Sequence, residues 1–89
     1  MDLRRFWFEF SDDTGKPLPI GVGLGCGVSA YDYDDAIQII QSAVFEGKPL
    51  PVISTSIADV DVSELDVNHV RSNMGNVLQR GVWFPLGYE

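Results

Sequence analysis

The sequence predicts an α+β domain in which one mainly antiparallel sheet carries the main helix on one face. Three observations lead to this prediction: a period-two apolar pattern near the N-terminus, a helix-period pattern in the middle, and short β-branched or aromatic runs after it. The 89 residues fit a single domain, residues 1–89, and a hydrophobic fraction of 45% is enough for a packed core. The predicted element order is β-β-α-β-α-β.

The first predicted strand is "LRRFWFEF", residues 3–10, in which phenylalanine occupies every second position from Phe6 to Phe10. This alternation is typical of a half-buried strand. Residues 11–19 contain the polar, glycine and proline residues of a turn, and a second strand is predicted to start near Ile20.

The second predicted strand has glycine at every second position: Gly21, Gly23, Gly25 and Gly27. These glycines share one face of the strand, whereas the other face is apolar. Glycine weakens a strand unless another element must approach it closely. The pattern therefore predicts a helix, an aromatic ring or a partner against that face, with Trp7 and Tyr31 as the candidate aromatic covers.

The main helix is predicted within residues 31–47, "YDYDDAIQIIQSAVFEG". Asp32 is the predicted N-cap, Asp34 and Asp35 fall in the first turn, where the helix dipole favours acids, and Gly47 lies just beyond the end. Apolar residues spaced by three and four form the stripe that faces the sheet: Tyr33, Ala36, Ile37, Ile40 and Val44, widened by Ile39 and Phe45.

Three further elements are predicted in the C-terminal half. Residues 52–58, "VISTSIA", form a β-branched strand, and the apolar alternation slips between Ile57 and Val60, which indicates a bulge or the end of the strand. Asp66 could cap a short helix over residues 67–74 that Gly75 closes. The last strand is predicted around residues 81–84, followed by a proline.

The composition argues against several classes of function. A formal net charge of −7 opposes binding to nucleic acid or to anionic lipid. Because Cys26 is the single cysteine and His69 the single histidine, the sequence supports neither an intramolecular disulfide nor a Cys/His zinc site. No export signal is visible, and no run approaches the ~18 apolar residues of a membrane span, so the expected location is the cytoplasm.

Four motifs that carry chemistry in other proteins fail on their spacing or surroundings. The glycine run does not match G-x-G-x-x-G, because Cys26 or Val28 would stand at the third glycine. The triplet "DTG" at residues 13–15 matches aspartic proteases but lies in a polar turn, and "DVDVSE" at residues 59–64 lacks the glycine of a calcium loop. Cys26 and His69 could form a nucleophile and base, but the apolar strand makes Cys26 a core residue. We therefore expect no catalytic residue, cofactor or metal.

The acids are concentrated in the middle of the chain. Between Glu9 and Asp66 there are eleven acids and only two lysines, whereas four arginines lie outside this segment. A concentrated acidic surface orients a basic partner, although the acids could also serve only to solvate turns and helix ends. The predicted partner-binding residues are Asp32, Asp34, Asp35, Asp59, Asp61, Glu64 and Asp66, with Trp7 and Trp83 as aromatic anchors.

Five segments of the sequence resemble a group of small bacterial proteins of unassigned function: "RRFWFEF", "LGCGVSAYDYDDAI", "DVDVSEL", "NHVRSNMG" and "RGVWFPLGY". The resemblance runs along most of the chain and implies a stand-alone bacterial protein. In size, acidity and lack of catalytic machinery the chain is also similar to cytosolic immunity proteins, which neutralise secreted toxins.

The leading hypothesis from the sequence is a cytoplasmic protein-binding module, most concretely an immunity-type inhibitor of a basic toxin, and not an enzyme. One alternative is a small enzyme or ligand-binding protein with a pocket over the glycine face of residues 21–27. Another is a homo-oligomeric structural protein joined along an edge strand, and a homodimer is compatible with the leading hypothesis too.

Overall fold

The computed structural model of the protein describes residues 2–11, 22–65, 70 and 74–85. In these residues the chain forms strands β1 (Arg4–Phe10), β2 (Cys26–Ala30), β3 (Ile53–Ala58) and β4 (Gly81–Phe84), and helix α1 (Tyr33–Ala43). The four strands make one antiparallel sheet in the order β3-β1-β2-β4. The predicted α+β class with one antiparallel sheet is confirmed.

Strand β2 starts later than the glycine pattern predicts. Val22–Leu24 forms a 3-10 turn, and Gly25 follows it with a φ of 130°, a conformation that L side chains rarely adopt. Pairing with β1 begins at Cys26, opposite Phe8. The sequence predicts a continuous strand from Ile20 with its glycines in register. From Val22 onward, where the structure describes the chain, this prediction is wrong.

Helix α1 begins at the predicted N-cap. Asp32 has extended backbone, and its side chain accepts a hydrogen bond of 2.8 Å from the backbone N–H of Asp35. Beyond the other end, Gly47 has a φ of 81° and donates its backbone N–H to the Gln41 carbonyl at 2.8 Å. Each end of the helix therefore has a capping hydrogen bond made by a residue that the sequence predicts there.

The helix covers one face of the sheet and buries the larger core. Phe8 meets the edge of Tyr33 with ring centroids 5.7 Å apart, and Phe10 meets Phe45 at 5.3 Å. The buried residues of this core are Phe6, Phe8, Val22, Cys26, Val28, Ala30, Ala36, Ile40, Val44, Phe45 and Val82.

The opposite face of the sheet packs against the chain that follows β3. Strand β3 ends at Ala58, and Asp59, with a φ of 56°, turns the chain so that Val60 is buried. The slip predicted between Ile57 and Val60 thus marks the strand's end. The buried residues of this second core are Trp7, Val60, Val70, Trp83 and Phe84. The helix predicted over residues 67–74 lies largely outside the described residues.

Candidate functional site

The acidic residues from two separate segments meet at one end of the sheet, where β1 and β4 begin and β2 and β3 end. The register places Arg4 opposite Ala30, the last residue of β2, and Phe6 opposite Ala58, the last residue of β3. We call this surface the acidic end. The acids that we assign to it are Asp32, Asp34, Asp35, Asp59, Asp61 and Glu64, and its positive charges include Arg4, Arg5 and Arg80.

Arg4 lies between the two acidic segments. Its guanidinium donates two hydrogen bonds, of 3.0 and 2.8 Å, to the two carboxylate oxygens of Asp59. These bonds lower the pKa of the Asp59 carboxyl from its ordinary value. Asp59 in turn raises the pKa of Arg4, and Asp32 is close enough to raise it further. One arginine therefore interacts with acids from both segments.

Arg80 orders the other side of the acidic end. Its Nε donates to Asp35 at 3.0 Å, a terminal nitrogen donates to the second oxygen of that carboxylate, and the Tyr31 backbone N–H adds a third bond of 3.1 Å. The bond from Arg80, and after it the bond from Tyr31, lower the pKa of the Asp35 carboxyl. The Arg80 guanidinium also lies over the Tyr31 ring, 5.7 Å from its centroid.

The remaining acids of this surface differ in their roles. Asp32 caps helix α1, and Asp61 accepts hydrogen bonds from the backbone N–H and hydroxyl of Ser63 at 3.0 and 2.6 Å. Asp34 and Glu64 are exposed, and within the described part of the chain neither has an ion-pair partner. These two carboxylates can contact a partner without breaking an existing ion pair. The predicted site residue Asp66 lies outside the described residues.

The predicted anchors Trp7 and Trp83 are core residues. Their exposed fractions are 3% and 1%, which does not fit a role as surface anchors. A Cβ on Gly25 would overlap the Trp7 indole, and a Cβ on Gly27 would overlap the Trp83 indole. We call these four residues the tryptophan–glycine face. The expected approach of an aromatic ring to the glycines is thus confirmed for Trp7.

The glycine prediction also holds at Gly27, which Trp83 covers, but it is wrong for Gly23 and for Tyr31 as a cover. Gly23 is exposed, with no atom within 4 Å of the position of a Cβ, and Gly21 lies outside the described residues. Tyr31, the second candidate cover, is 41% exposed. The proposed pocket over residues 21–27 has no room beside Gly25 and Gly27, because the two indoles fill that space.

A β-bulge places Trp83 over Gly27. The register shifts so that Gly27 pairs with Phe84 but Val28 pairs with Val82, which leaves Trp83 as the extra residue. Trp83 and Phe84 therefore both pack with Trp7, at ring-centroid distances of 6.1 and 5.6 Å. Sequence reasoning missed this contact because a bulge breaks the alternation that assigns side chains to faces.

Cys26 is unsuited to act as a nucleophile. Its side chain is fully buried in the helix-side core, and this burial raises the pKa of the thiol to about 12. The thiol is therefore protonated at neutral pH. His69, the other member of the candidate dyad, lies outside the described residues.

Metal ligands are not clustered in the described part of the chain. Among residues 2–11, 22–65, 70 and 74–85, no group of three or more histidine, cysteine, aspartate or glutamate side chains could hold a metal ion. The one α-helix described is also too short and too polar to cross a membrane.

Comparisons with protein-family models, with curated proteins and with solved structures find no match to this chain. The resemblances to small bacterial proteins and to immunity proteins therefore stay predictions.

Proposed function

We propose that this protein is a protein-binding module that docks a basic partner on its acidic end. Most concretely, it is an immunity-type inhibitor that acts in the bacterial cytoplasm by covering a basic surface of a toxin. The observation that supports the proposal is that Arg4 pairs with Asp59 and also interacts with Asp32, which links acidic segments 32–35 and 59–64 at one end of the sheet. Helix α1 and strand β3 separate these segments in sequence, so the fold, and not the local sequence, concentrates the charge.

The two arginines make the acidic end ordered as well as acidic. Arg4 and Arg80 each hold one carboxylate through paired hydrogen bonds, and such bidentate contacts fix geometry. A surface that is already ordered loses less side-chain entropy when a partner binds. Asp34 and Glu64, which are exposed in the same two segments as the paired acids, supply negative charge for lysine or arginine side chains of the partner.

The net charge of the chain also favours basic partners before any direct contact is made. With a formal charge of −7, the protein attracts basic proteins and repels acidic ones at distances within the Debye length. Such attraction accelerates association much more than it slows dissociation. Binding to the proposed partner should therefore weaken as the salt concentration rises.

Affinity capture from the cytosol of the source cell tests the proposal. The immobilised wild-type protein is expected to retain a basic protein at low salt and to release it at high salt. The variant Glu64→Lys should retain less of the same protein. Glu46→Lys is the matched control, because it makes the same charge change at an exposed glutamate beyond the other end of α1, roughly 16 Å of helix away.

Two results would contradict the proposal. The first is that the immobilised protein retains only acidic or uncharged proteins and that salt does not change the amount retained. The acids would then only keep exposed turns and helix ends solvated. Equal losses for Glu64→Lys and Glu46→Lys would mean that net charge acts without a docking surface at the acidic end. If the captured protein is a toxin, its activity should fall when the wild-type protein is added, whereas an unchanged activity would reject the inhibitor role.

A further inference from the structure

Strand β3 forms one edge of the sheet, and its side chains are largely exposed. Among the described strands it pairs with β1 alone, whereas helix α1 packs on β2 and β4. Ser54, Ser56, Ile57 and Ala58 are exposed, Ile57 at 42%. An edge strand turns a row of backbone N–H and C=O groups outward, which can pair with another strand.

The sequence of β3 lacks the side chains that usually prevent such pairing. "ISTSIA" contains no charged residue and no proline. A register shift opposite Glu9 and Phe10 makes Ser54 a bulged residue, so Thr55–Ala58 remains regular. At the opposite edge of the sheet, by contrast, the Trp83 carbonyl of β4 already accepts a hydrogen bond from the Gly75 N–H at 2.6 Å.

We propose that β3 is a homodimer interface, at which two copies of this chain pair antiparallel about a twofold axis at Ser56. In this arrangement Ser56 lies opposite Ser56 of the second copy, and Thr55 lies opposite Ile57. The pairing is self-complementary, as a twofold interface requires. It places two β-branched side chains directly across from each other, and such cross-strand pairs stabilise sheets. The two four-stranded sheets then form one eight-stranded sheet.

The local charges around β3 fit a second copy as the occupant, although the two net charges of −7 repel each other. In the antiparallel arrangement, Asp59 and Asp61 at the end of one β3 lie towards the start of the other, which the exposed Lys48 precedes by five residues in sequence. The two acidic ends point in opposite directions along the joined sheet. Each stays accessible, and their mutual repulsion is smaller than in a parallel arrangement. The proposal does not depend on the function proposed above.

Disulfide cross-linking tests the predicted register. Cys26 is fully buried, so Ser56→Cys introduces the one accessible thiol among the described residues. Two Ser56→Cys side chains facing each other across the axis should form a disulfide-linked dimer under mild oxidation. Ser42→Cys, on the exposed surface of α1, is the control and should stay mainly monomeric under the same conditions.

Analytical ultracentrifugation tests the dimer without cross-linking. The wild-type protein should sediment as a dimer at high concentration, and the dimer fraction should rise with salt because both copies carry the same net charge. This salt response is opposite to that of a basic partner. Ser56→Lys should raise the dimer dissociation constant about tenfold or more, because it places two like charges opposite each other, whereas Ser42→Lys should change it little.

Any of three results would contradict the proposed homodimer interface at β3. A wild-type protein that stays monomeric at every concentration and salt level rules out the dimer. A dimer in which Ser56→Cys and Ser42→Cys cross-link equally, or in which Ser56→Lys has no effect, forms through another surface. Thermal melts of Ser56→Lys must match those of the wild type at low concentration, which shows that the variant is folded.

Discussion

The tryptophan–glycine face and the acidic end involve the same sheet but are ordered by opposite means. At the first, two buried indoles fill the space beside Gly25 and Gly27, so the arrangement depends on the absence of two side chains. At the second, exposed guanidiniums hold carboxylates through hydrogen bonds, so the arrangement depends on the presence of charged side chains. Close packing orders the tryptophan–glycine face, and hydrogen bonds between charged side chains order the acidic end.

This difference separates what stabilises the protein from what it can present to a partner. Close packing is intolerant of an added methyl group, because buried neighbours have nowhere to move. Exposed ion pairs contribute little to stability, since water and salt screen them, yet the same charges act on a partner at a distance. Substitutions at the two regions should therefore affect different measurements.

The largest expected effect is that of Gly27→Ala. The added Cβ would lie 2.6 Å from Cζ2 of Trp83, and closer still to two other ring atoms. Overpacking of this kind typically costs about 1–3 kcal/mol, and we expect the upper half of that range because the ring is buried. Urea unfolding measures the loss. Gly23→Ala, with no atom within 4 Å, is the control and should change stability by less than about 1 kcal/mol.

A second substitution sharpens the same test. Trp83→Phe removes the benzo ring atoms that the new Cβ would meet, so the double variant should lose less than the sum of the two single losses. Trp83 Nε1 has no hydrogen-bond partner among the described residues, so this change breaks no known polar contact. Additive losses, or a Gly27→Ala variant as stable as the wild type, would show that the ring does not occupy this space in solution.

An intermediate effect is expected at the acid that caps helix α1. Asp32→Ala removes the N-cap of α1, and loss of such a cap costs about 1 kcal/mol. Asp34→Ala removes only a favourable charge from the first helical turn, so its cost should be smaller, a few tenths to about 1 kcal/mol. Equal unfolding free energies for Asp32→Ala and the wild type would show that the Asp32 cap does not stabilise the fold.

A smaller effect is expected from the ion pairs, and it depends on pH. Arginine partners lower the pKa of Asp35 and Asp59 in the folded protein, so these groups stabilise the fold above their unfolded pKa of about 3.9. The contribution is lost as the pH falls through the lowered folded-state pKa. Asp35→Asn should therefore reduce stability near neutral pH and flatten the decline in acid. Urea midpoints measured across this range check the expectation, and parallel pH curves for variant and wild type would contradict it.

The sequence could predict the elements that keep a regular period. The phenylalanine alternation of β1, the Asp32 cap and apolar stripe of α1, and the β-branched run of β3 are local patterns, and the structure has these elements there. The start of β2 was mispredicted because alternating glycines fit a strand, while the backbone at Gly25 has a positive φ and follows a 3-10 turn.

The candidate site was only partly predictable for a different reason. The acids could be named from the sequence, but Arg4 and Arg80 lie outside the acidic segment and reach it through the strand order. The frequency of aromatic residues at interfaces predicts Trp83 as a surface anchor, whereas the pairing of β4 with β2 and the bulge bury it. Both errors come from long-range contacts that no local pattern encodes.

The central claim is that the tryptophan–glycine face stabilises the fold and the acidic end binds the partner. Its most direct test measures both the melting temperature and the capture of the basic partner for Gly27→Ala and for Glu64→Lys. Gly27→Ala is predicted to melt well below the wild type yet to retain the partner at temperatures where it is folded. Glu64→Lys is predicted to melt with the wild type and to lose capture at low salt. A Glu64→Lys variant that melts lower and captures normally would contradict the account, because the acidic end would then serve stability and not binding.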